Sequence, residues 1–275
     1  MANLVNLEAV THGFGTRILL DGVSLGLGAG EVIGVVGRNG DGKTTLLRIL
    51  TGDLEPDDGR VTVAGNASIG VLAQDTIGDD AETVRDWIVG GEPDHVWAAD
   101  ASQRAVVEAL LADVDLDRAL GTLSGGERRR VGLVGVLLGH HDLVVLDEPT
   151  NHLDVEAIAF LAEYLRARTR AGLAMLVVSH DRWFLDEVCT RIWEVHDGVV
   201  DAYDGGYAAY VLAKVERQRQ AAANEARRKN LARKELAWLR RGAPARTSKP
   251  KVRVDAAYVV IADEPPPRDT VALQQ

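Results

Sequence analysis

The stretch "VIGVVGRNGDGKTTLLRILTG", residues 32–52, joins a short apolar run to a glycine-rich loop and then to a helical pattern. Its central part, residues 37–45, matches the pattern G-x-x-x-x-G-K-[ST]. This pattern indicates a phosphate-binding loop when a strand precedes it and a helix follows it, as they do in this stretch. Glycines let such a loop turn tightly, so that backbone N–H groups surround phosphate oxygens, and the positive end of the next helix adds to the attraction. The stretch therefore predicts a nucleotide site at the end of a buried strand, and a chance glycine-rich turn is the alternative.

Several side chains of this loop have a distinct role in the prediction. Lys43 is expected to neutralise the β- and γ-phosphates, the Thr44 hydroxyl to bind Mg²⁺, and Thr45 to supply a further phosphate contact. The predicted nucleotide contacts within the loop are Gly37, Arg38, Asn39, Gly40, Asp41, Gly42, Lys43, Thr44 and Thr45.

A second motif, "DLVVLDEPTNHLD" at residues 142–154, supplies carboxylates. Its apolar run predicts a buried strand that ends in Asp147, where a carboxylate can hold the Mg²⁺ shell. Glu148, the next residue, is suited to accept a proton from an attacking water. A plain surface turn is the alternative, and the apolar strand before it makes that interpretation weaker.

A third motif, "TLSGGERRR" at residues 122–130, has the features of another anion site. Ser124, Gly125 and Gly126, followed by Glu127, present a hydroxyl and backbone N–H groups just before a helical pattern. One chain with one phosphate-binding loop has no use for a second phosphate site. The motif therefore makes sense if it serves a nucleotide that is bound by another domain.

The order of elements predicts an α/β fold. Over residues 1–205 short β-rich runs alternate with helical patterns, which is typical of a mostly parallel sheet, with a β-rich N-terminal part and a small helical subdomain at residues 75–135. The strand candidates are residues 32–37, 60–65, 142–147, 174–179 and 191–198. The single cysteine excludes a disulfide framework and a cysteine-based zinc cluster, and no run of about 18 apolar residues is present. We therefore expect a cytoplasmic protein without direct membrane insertion.

A basic segment follows the α/β part. Residues 213–253 contain 14 Lys or Arg against 3 Glu, a local charge of +11. Because the net charge of the chain is −10, the other residues together carry −21. Residues 208–241 lack Gly and Pro and predict a helix, which turn-forming residues 242–250 interrupt. With a second helix over about 251–263, the segment predicts a helical hairpin with a basic tip.

The charge of this hairpin points to a polyanion, because its apolar side is too thin to be packed fully into a core. RNA phosphates are the expected partner, and binding to them would depend steeply on salt. A solvated charged linker is the alternative. The candidate RNA contacts are Trp238, Arg240, Arg241, Arg246, Lys249 and Lys251.

Five motifs in order resemble an ATP-binding-cassette nucleotide domain, and the resemblance covers roughly residues 4–205. They are "GRNGDGKTT", Gln74 in "VLAQD", "LSGGE", "LDEPTNHLD" and "VVSHDR". The resemblance implies ATP and Mg²⁺ as ligands, Gln74 as a sensor of the metal and γ-phosphate, and His180 as a γ-phosphate contact. It also implies that Asp154 communicates across a dimer and that Phe14 stacks on adenine, although Phe14 alone would more often be a core residue.

In such families two cassettes pair head to tail, and each nucleotide lies between one phosphate loop and the other "LSGGE". The resemblance therefore implies a second cassette, in the same full-length chain or in a homodimer, and weak ATP hydrolysis by one cassette alone. We expect residues 1–207 to be the cassette, 208–263 the linker hairpin, and 264–275 a tail before a missing second cassette.

The sequences "PTNHLD" and "KELAWLRRGAPARTSKPKVR" resemble the ABC-F proteins, particularly the Uup-like subgroup. That resemblance implies an ATPase acting in translation, with the linker reaching the ribosome and tRNA, and it includes antibiotic resistance by ribosome protection. The ATPase subunit of an exporter, like those called macrolide transporters, is the alternative. A DNA-repair or chromosome ATPase fits less well because the zinc cysteines are missing and the helical insert is short.

Overall fold

A computed structural model of the chain describes residues 3–65, 67–72, 78–90, 97 and 99–240. The described residues up to Val211 belong to one compact unit, and residues 212–240 continue as helix in a second unit.

The compact unit is built on a six-stranded sheet in the order β5-β6-β7-β3-β8-β9. The first five strands in this order are parallel, and β9 runs antiparallel to β8. The strands are β3 (Val32–Val36), β5 (Ile69–Leu72), β6 (Leu143–Asp147), β7 (Ala174–Val178), β8 (Arg191–His196) and β9 (Val199–Asp204). The predicted α/β class with a mostly parallel sheet is confirmed.

A second, antiparallel sheet of three strands forms the β-rich N-terminal part, in the order β2-β1-β4. Its strands are β1 (Asn3–Phe14), β2 (Arg17–Gly28) and β4 (Asp58–Val63). The candidate strand at residues 60–65 therefore belongs to this sheet, where β4 pairs with β1, and not to the parallel sheet.

Helices cover both faces of the six-stranded sheet. They are α1 (Lys43–Thr51), α2 (Val84–Val89), α3 (Ala101–Leu111), α4 (Gly125–Leu138), α5 (Val155–Arg170) and α6 (Arg182–Val188), with a short 3₁₀ helix at Leu120–Thr122. A further helix, α7 (Tyr207–Arg240), begins in the compact unit and continues beyond Val211 in the second unit. Among the described helices, none is both long enough and apolar enough to span a lipid bilayer.

Alternation along the central strands explains the two-layered core. In β6, Val144 and Leu146 join the apolar cluster that contains α4 and α5, whereas Leu143 and Val145 join the cluster that contains α1 and the three-stranded sheet. Successive side chains of a strand point to opposite faces, so a strand that is covered on both faces is apolar at every position. This is why residues 142–147 and 174–179 can be recognised as strands from their composition.

Candidate active site

A cleft of about 490 Å³ lies at the carboxyl ends of β3, β6 and β7, where parallel α/β sheets usually bind ligands. It brings together the phosphate loop, the end of β6 and the residues after β7. The residues that line it are Leu19, Asn39, Gly40, Gly42, Lys43, Thr44, Thr45, Asp147, Glu148, Asn151, Val178 and His180.

The backbone of the phosphate loop adopts conformations that favour glycine. Gly40 and Gly42 have φ angles of 85° and 103°, in the left-handed region. At Gly37 a Cβ atom would lie 2.4 Å from the carbonyl oxygen of Val195, so a side chain there would displace the loop from β8. The glycines are therefore required by the shape of the loop, as the motif predicts.

The loop also holds its own charged side chains. Lys43 Nζ donates hydrogen bonds to the carbonyl oxygens of Gly37 (2.9 Å) and Arg38 (3.0 Å), and an ammonium group has a third N–H that can reach a phosphate. Asp41 Oδ2 accepts a hydrogen bond from the Arg38 amide at 2.9 Å, which joins the beginning of the loop to its middle. Arg17 of β2 lies 4.0 Å from the Asp41 carboxylate.

Asp147 presents a buried carboxylate at the end of β6, with 6% of its surface exposed. Burial raises the pKa of Asp147 above its ordinary value, and the positive charges of Arg129 and Lys43 oppose this rise. The Asp147 carboxylate and the Thr44 hydroxyl line the same cleft and are oxygen ligands of the kind that Mg²⁺ prefers. The two residues fit the metal role that the sequence assigns to them.

Glu148 has an unusual backbone for a residue with a side chain, because its φ angle is 51°. Non-glycine residues in such regions cost about 1–3 kcal/mol and are found most often at functional sites. The amide of Glu148 donates to the carbonyl oxygen of Val178 at 2.7 Å. Its carboxylate accepts a hydrogen bond from the amide of His180 at 3.2 Å, and its Oε1 lies 3.4 Å from His180 Nε2.

Some contacts that shape the cleft were not predicted from the sequence. Thr150 and Ser179 are buried and share a hydrogen bond of 3.2 Å between their hydroxyl oxygens, which joins the segment after β6 to the segment after β7. Asn151 lines the cleft next to Glu148. All three lie within quoted motifs, so their position in sequence was a signal, but their partners are apparent only in three dimensions.

The third motif begins helix α4. Ser124 is the N-cap, and its amide donates to Glu127 Oε2 at 2.7 Å while Glu127 donates its own amide to Ser124 Oγ at 3.3 Å. Glu127 also accepts a hydrogen bond from Arg118 Nη1 at 2.7 Å. The hydrogen bonds from the Ser124 amide and hydroxyl, followed by the one from Arg118, lower the pKa of Glu127 to about 2.

The cleft does not include every predicted site residue. Ser124, Gly125, Gly126 and Glu127 are not among its lining residues. Asp154 caps α5 by accepting the Ala157 amide at 2.8 Å. Phe14, at the end of β1, is 58% exposed and contacts His12 edge-to-face at 5.1 Å, so it is a surface ring rather than a core residue.

Other predicted residues lie outside what the structure describes. They are Gln74, Arg241, Arg246, Lys249 and Lys251, together with the side chains of Trp238 and Arg240. Within the described ranges, no group of three or more His, Cys, Asp or Glu side chains forms a metal cluster.

Comparison with known proteins gives consistent matches. A family model described as ABC transporter matches residues 20–151, and a second model with the same description matches residues 193–258. "Uncharacterized ABC transporter ATP-binding protein YfmR" of Bacillus subtilis is 33% identical over 92% of this chain and 46% of its own length. "Energy-dependent translational throttle protein EttA" of Mycobacterium tuberculosis is 35% identical over 91% of this chain and 51% of its own length.

The chain spans about half the length of these curated relatives. Solved structures agree in fold. "Structure of ATP binding subunit of ABC transporter" covers 94% of this chain and 100% of that chain, with a TM-score of 0.66 at 18% identity. A nucleotide-free ATP-binding cassette from an ABC transporter covers 77% of this chain and 96% of that chain, with a TM-score of 0.60 at 21% identity.

Proposed function

The chain belongs to the ATP-binding-cassette ATPases, and from this premise we propose that its cleft binds MgATP and hydrolyses the γ-phosphate with Glu148 as the general base. The observation that carries the proposal is the convergence of the phosphate loop, Asp147, Glu148 and His180 on one cleft.

The chemistry follows from the position of each group. Lys43 and the loop amides neutralise phosphate charge, while Thr44 and Asp147 would hold a Mg²⁺ ion, which would screen the negative oxygens. Glu148 accepts a proton from the water that attacks in line with the leaving oxygen. His180, whose amide and ring both face the Glu148 carboxylate, keeps that carboxylate oriented and contacts the γ-phosphate.

Replacing the general base tests this assignment. In Glu148→Gln we expect kcat to fall by at least about 100-fold, because a positioned base contributes 10²–10⁴-fold to such reactions. ATP affinity should be retained, since the loop amides and Lys43 are unchanged. ATP turnover and nucleotide binding are measured on the same preparations.

The matched control is Glu156→Gln, which removes an exposed carboxylate from the first turn of α5. It should keep the turnover of the unaltered chain. Unchanged kcat in Glu148→Gln would remove Glu148 from the role of base.

We also propose that the basic segment binds ribosomal RNA or tRNA, so that the chain acts on translation as an ABC-F protein. The described part of α7 supports this, because Lys229, Arg233 and Lys234 are exposed along one helix. The name of the EttA relatives refers to translation. Protection of ribosomes from antibiotics would be one consequence of such binding.

Sedimentation with ribosomes over a series of salt concentrations tests the proposal. Glu148→Gln with ATP should co-sediment, and converting Lys229, Arg233 and Lys234 to Ala should lower the slope of log affinity against log salt by about 1 for each lost phosphate contact. A control that converts Arg48, Arg60 and Arg170 to Ala removes the same exposed charge from the compact unit. Equal slopes in the two triple variants, or no co-sedimentation at low salt, would contradict RNA binding by the helix.

A further inference from the structure

One arginine of helix α4 reaches the backbone of the candidate active site. Arg129, the fifth residue of α4, donates a hydrogen bond from Nη2 to the carbonyl oxygen of Asp147. That carbonyl belongs to the peptide group that joins Asp147 to Glu148. On the other side of the same peptide group, the Glu148 amide donates to Val178 at 2.7 Å. The peptide group is therefore held at both its polar ends.

The held peptide group is the one that sets the conformation of Glu148. Its orientation fixes the φ angle of Glu148, which at 51° lies in a region that a side chain disfavours. Residues in such conformations persist when surrounding contacts determine them, and here the contacts are the Arg129 guanidinium and the β7 carbonyl. The direction in which the Glu148 carboxylate leaves the backbone depends on both.

The Arg129 guanidinium is partly buried near the carboxylates of Asp147 and Glu148. Burial lowers the pKa of its guanidinium, and the negative charges of Asp147 and Glu148 act in the opposite direction. Its two arginine neighbours on α4 face other groups: Arg128 lies 2.9 Å from Asp80, and Arg130 binds Asp113 with contacts of 2.6 and 2.8 Å. Arg129, by contrast, contacts Asp147, which lines the cleft.

We propose that Arg129 is a positioning residue for ATP hydrolysis: it holds the Asp147–Glu148 peptide group so that the Glu148 carboxylate faces the attacking water. The same arginine connects the proposed general base to α4, whose N-cap Ser124 would face the nucleotide of a partner in a pair of cassettes. This inference rests on the proposed role of Glu148 in hydrolysis.

A role limited to folding would give a different result. An arginine that only stabilises α4 would change the folded fraction, whereas a positioning residue changes kcat of the folded protein and leaves nucleotide affinity unchanged. Arg129→Gln and Arg130→Gln are a matched pair, because each removes one guanidinium from adjacent positions of the same helix.

The test measures kcat and ATP affinity for the full chain at a concentration where specific activity no longer rises, after correction for folded fraction by thermal unfolding. Arg129→Gln should lower kcat by about 10- to 100-fold, because small displacements of a catalytic group have effects of this size. Its ATP affinity should stay within about two-fold of the unaltered chain. Arg130→Gln should keep kcat. If Arg129→Gln does not fold, Arg129→Lys serves in its place and should also lose kcat.

Two further measurements separate this inference from the proposed function. In the Glu148→Gln background, Arg129→Gln should cause no further loss of kcat, because a positioning residue acts through the group it positions. Without nucleotide, amide hydrogen exchange in residues 148–153 should be faster in Arg129→Gln than in Arg130→Gln.

The outcomes are distinguishable. Equal kcat in Arg129→Gln and Arg130→Gln, an additional loss in the double variant, or unchanged exchange would overturn the positioning role and leave Glu148 as the base. Unaltered turnover in Glu148→Gln would overturn the proposed function as well.

Discussion

Individual residues at the cleft sit in environments that oppose their ordinary preferences. Burial raises the pKa of Asp147, so the ionised form that would bind a metal is less favourable in the fold than in water. Glu148 occupies a left-handed backbone conformation. These local costs are offset by contacts from other elements, which is the usual pattern where a fold holds reactive groups in fixed positions.

At Glu127 the balance has the opposite sign, and this gives a prediction about acid stability. Hydrogen bonds from Ser124 and Arg118 lower the pKa of Glu127 from 4.5 to about 2. A folded pKa below the unfolded one means that the ionised carboxylate stabilises the fold above about pH 4.5, and that this stability is lost as the pH falls from there towards 2. Glu127→Gln keeps an acceptor for the helix cap but has no charge to titrate. Its unfolding temperature should therefore fall less between about pH 6 and pH 3 than that of the unaltered chain.

Glu163→Gln is the control for Glu127→Gln, because it removes an exposed carboxylate from α5. Thermal unfolding followed by circular dichroism across the pH range measures both variants. An identical acid dependence in the two variants would contradict the special role of the Glu127 contacts.

The elements differ in how far the sequence predicts them. Strands β3, β6 and β7 could be predicted because both their faces are covered, which makes their composition almost wholly apolar. Strand β5 has four residues and β9 contains two aspartates, so neither has a pattern that stands out from a loop. Their positions depend on pairing with β6 and β8, a tertiary property.

The helical elements show the same division. The absence of Gly and Pro predicted the helix that the structure gives as Tyr207–Arg240. What the sequence did not indicate is how its first turn is held: Tyr210 is buried, its ring lies 5.1 Å from that of Tyr203, and Tyr203 donates to Glu194 Oε2 at 3.2 Å. Burial, with the nearby charge of Glu194, raises the pKa of Tyr210, so its hydroxyl group stays neutral and keeps its proton.

The candidate site follows the same rule. Lys43, Thr44, Asp147 and Glu148 belong to short motifs in which neighbours in sequence are neighbours in space, so they could be predicted and are found at one cleft. The contact of Arg129 with the Asp147 carbonyl joins residues 18 positions apart on a helix and a strand. Contacts of that kind require the packing of α4 against the sheet, which no motif describes.

At the scale of the whole molecule, one chain carries one phosphate loop and one "LSGGE" motif that does not line its own cleft. In a head-to-tail pair each nucleotide would meet the loop of one cassette and Ser124 of the other, so we expect hydrolysis to require association. The specific activity of this chain should therefore rise with protein concentration.

Mixing two inactive variants tests the composite site directly. Lys43→Ala removes the phosphate contact, and Ser124→Arg blocks the motif that faces the partner. Neither homodimer therefore has a complete site. A mixed dimer regains one complete site, with Lys43 from one chain and Ser124 from the other. Half of the dimers in an equal mixture are mixed and each has one of two sites, so turnover should recover to about a quarter of that of the unaltered chain. A mixture of Lys43→Ala with Glu148→Gln is the control, because both changes affect the same half of the site and no complete site can form. Absence of recovery in the test mixture, or first-order turnover in the dilute chain, would show that one cassette completes its own site. Recovery in the control would show that Lys43 and Glu148 do not belong to the same half of the site.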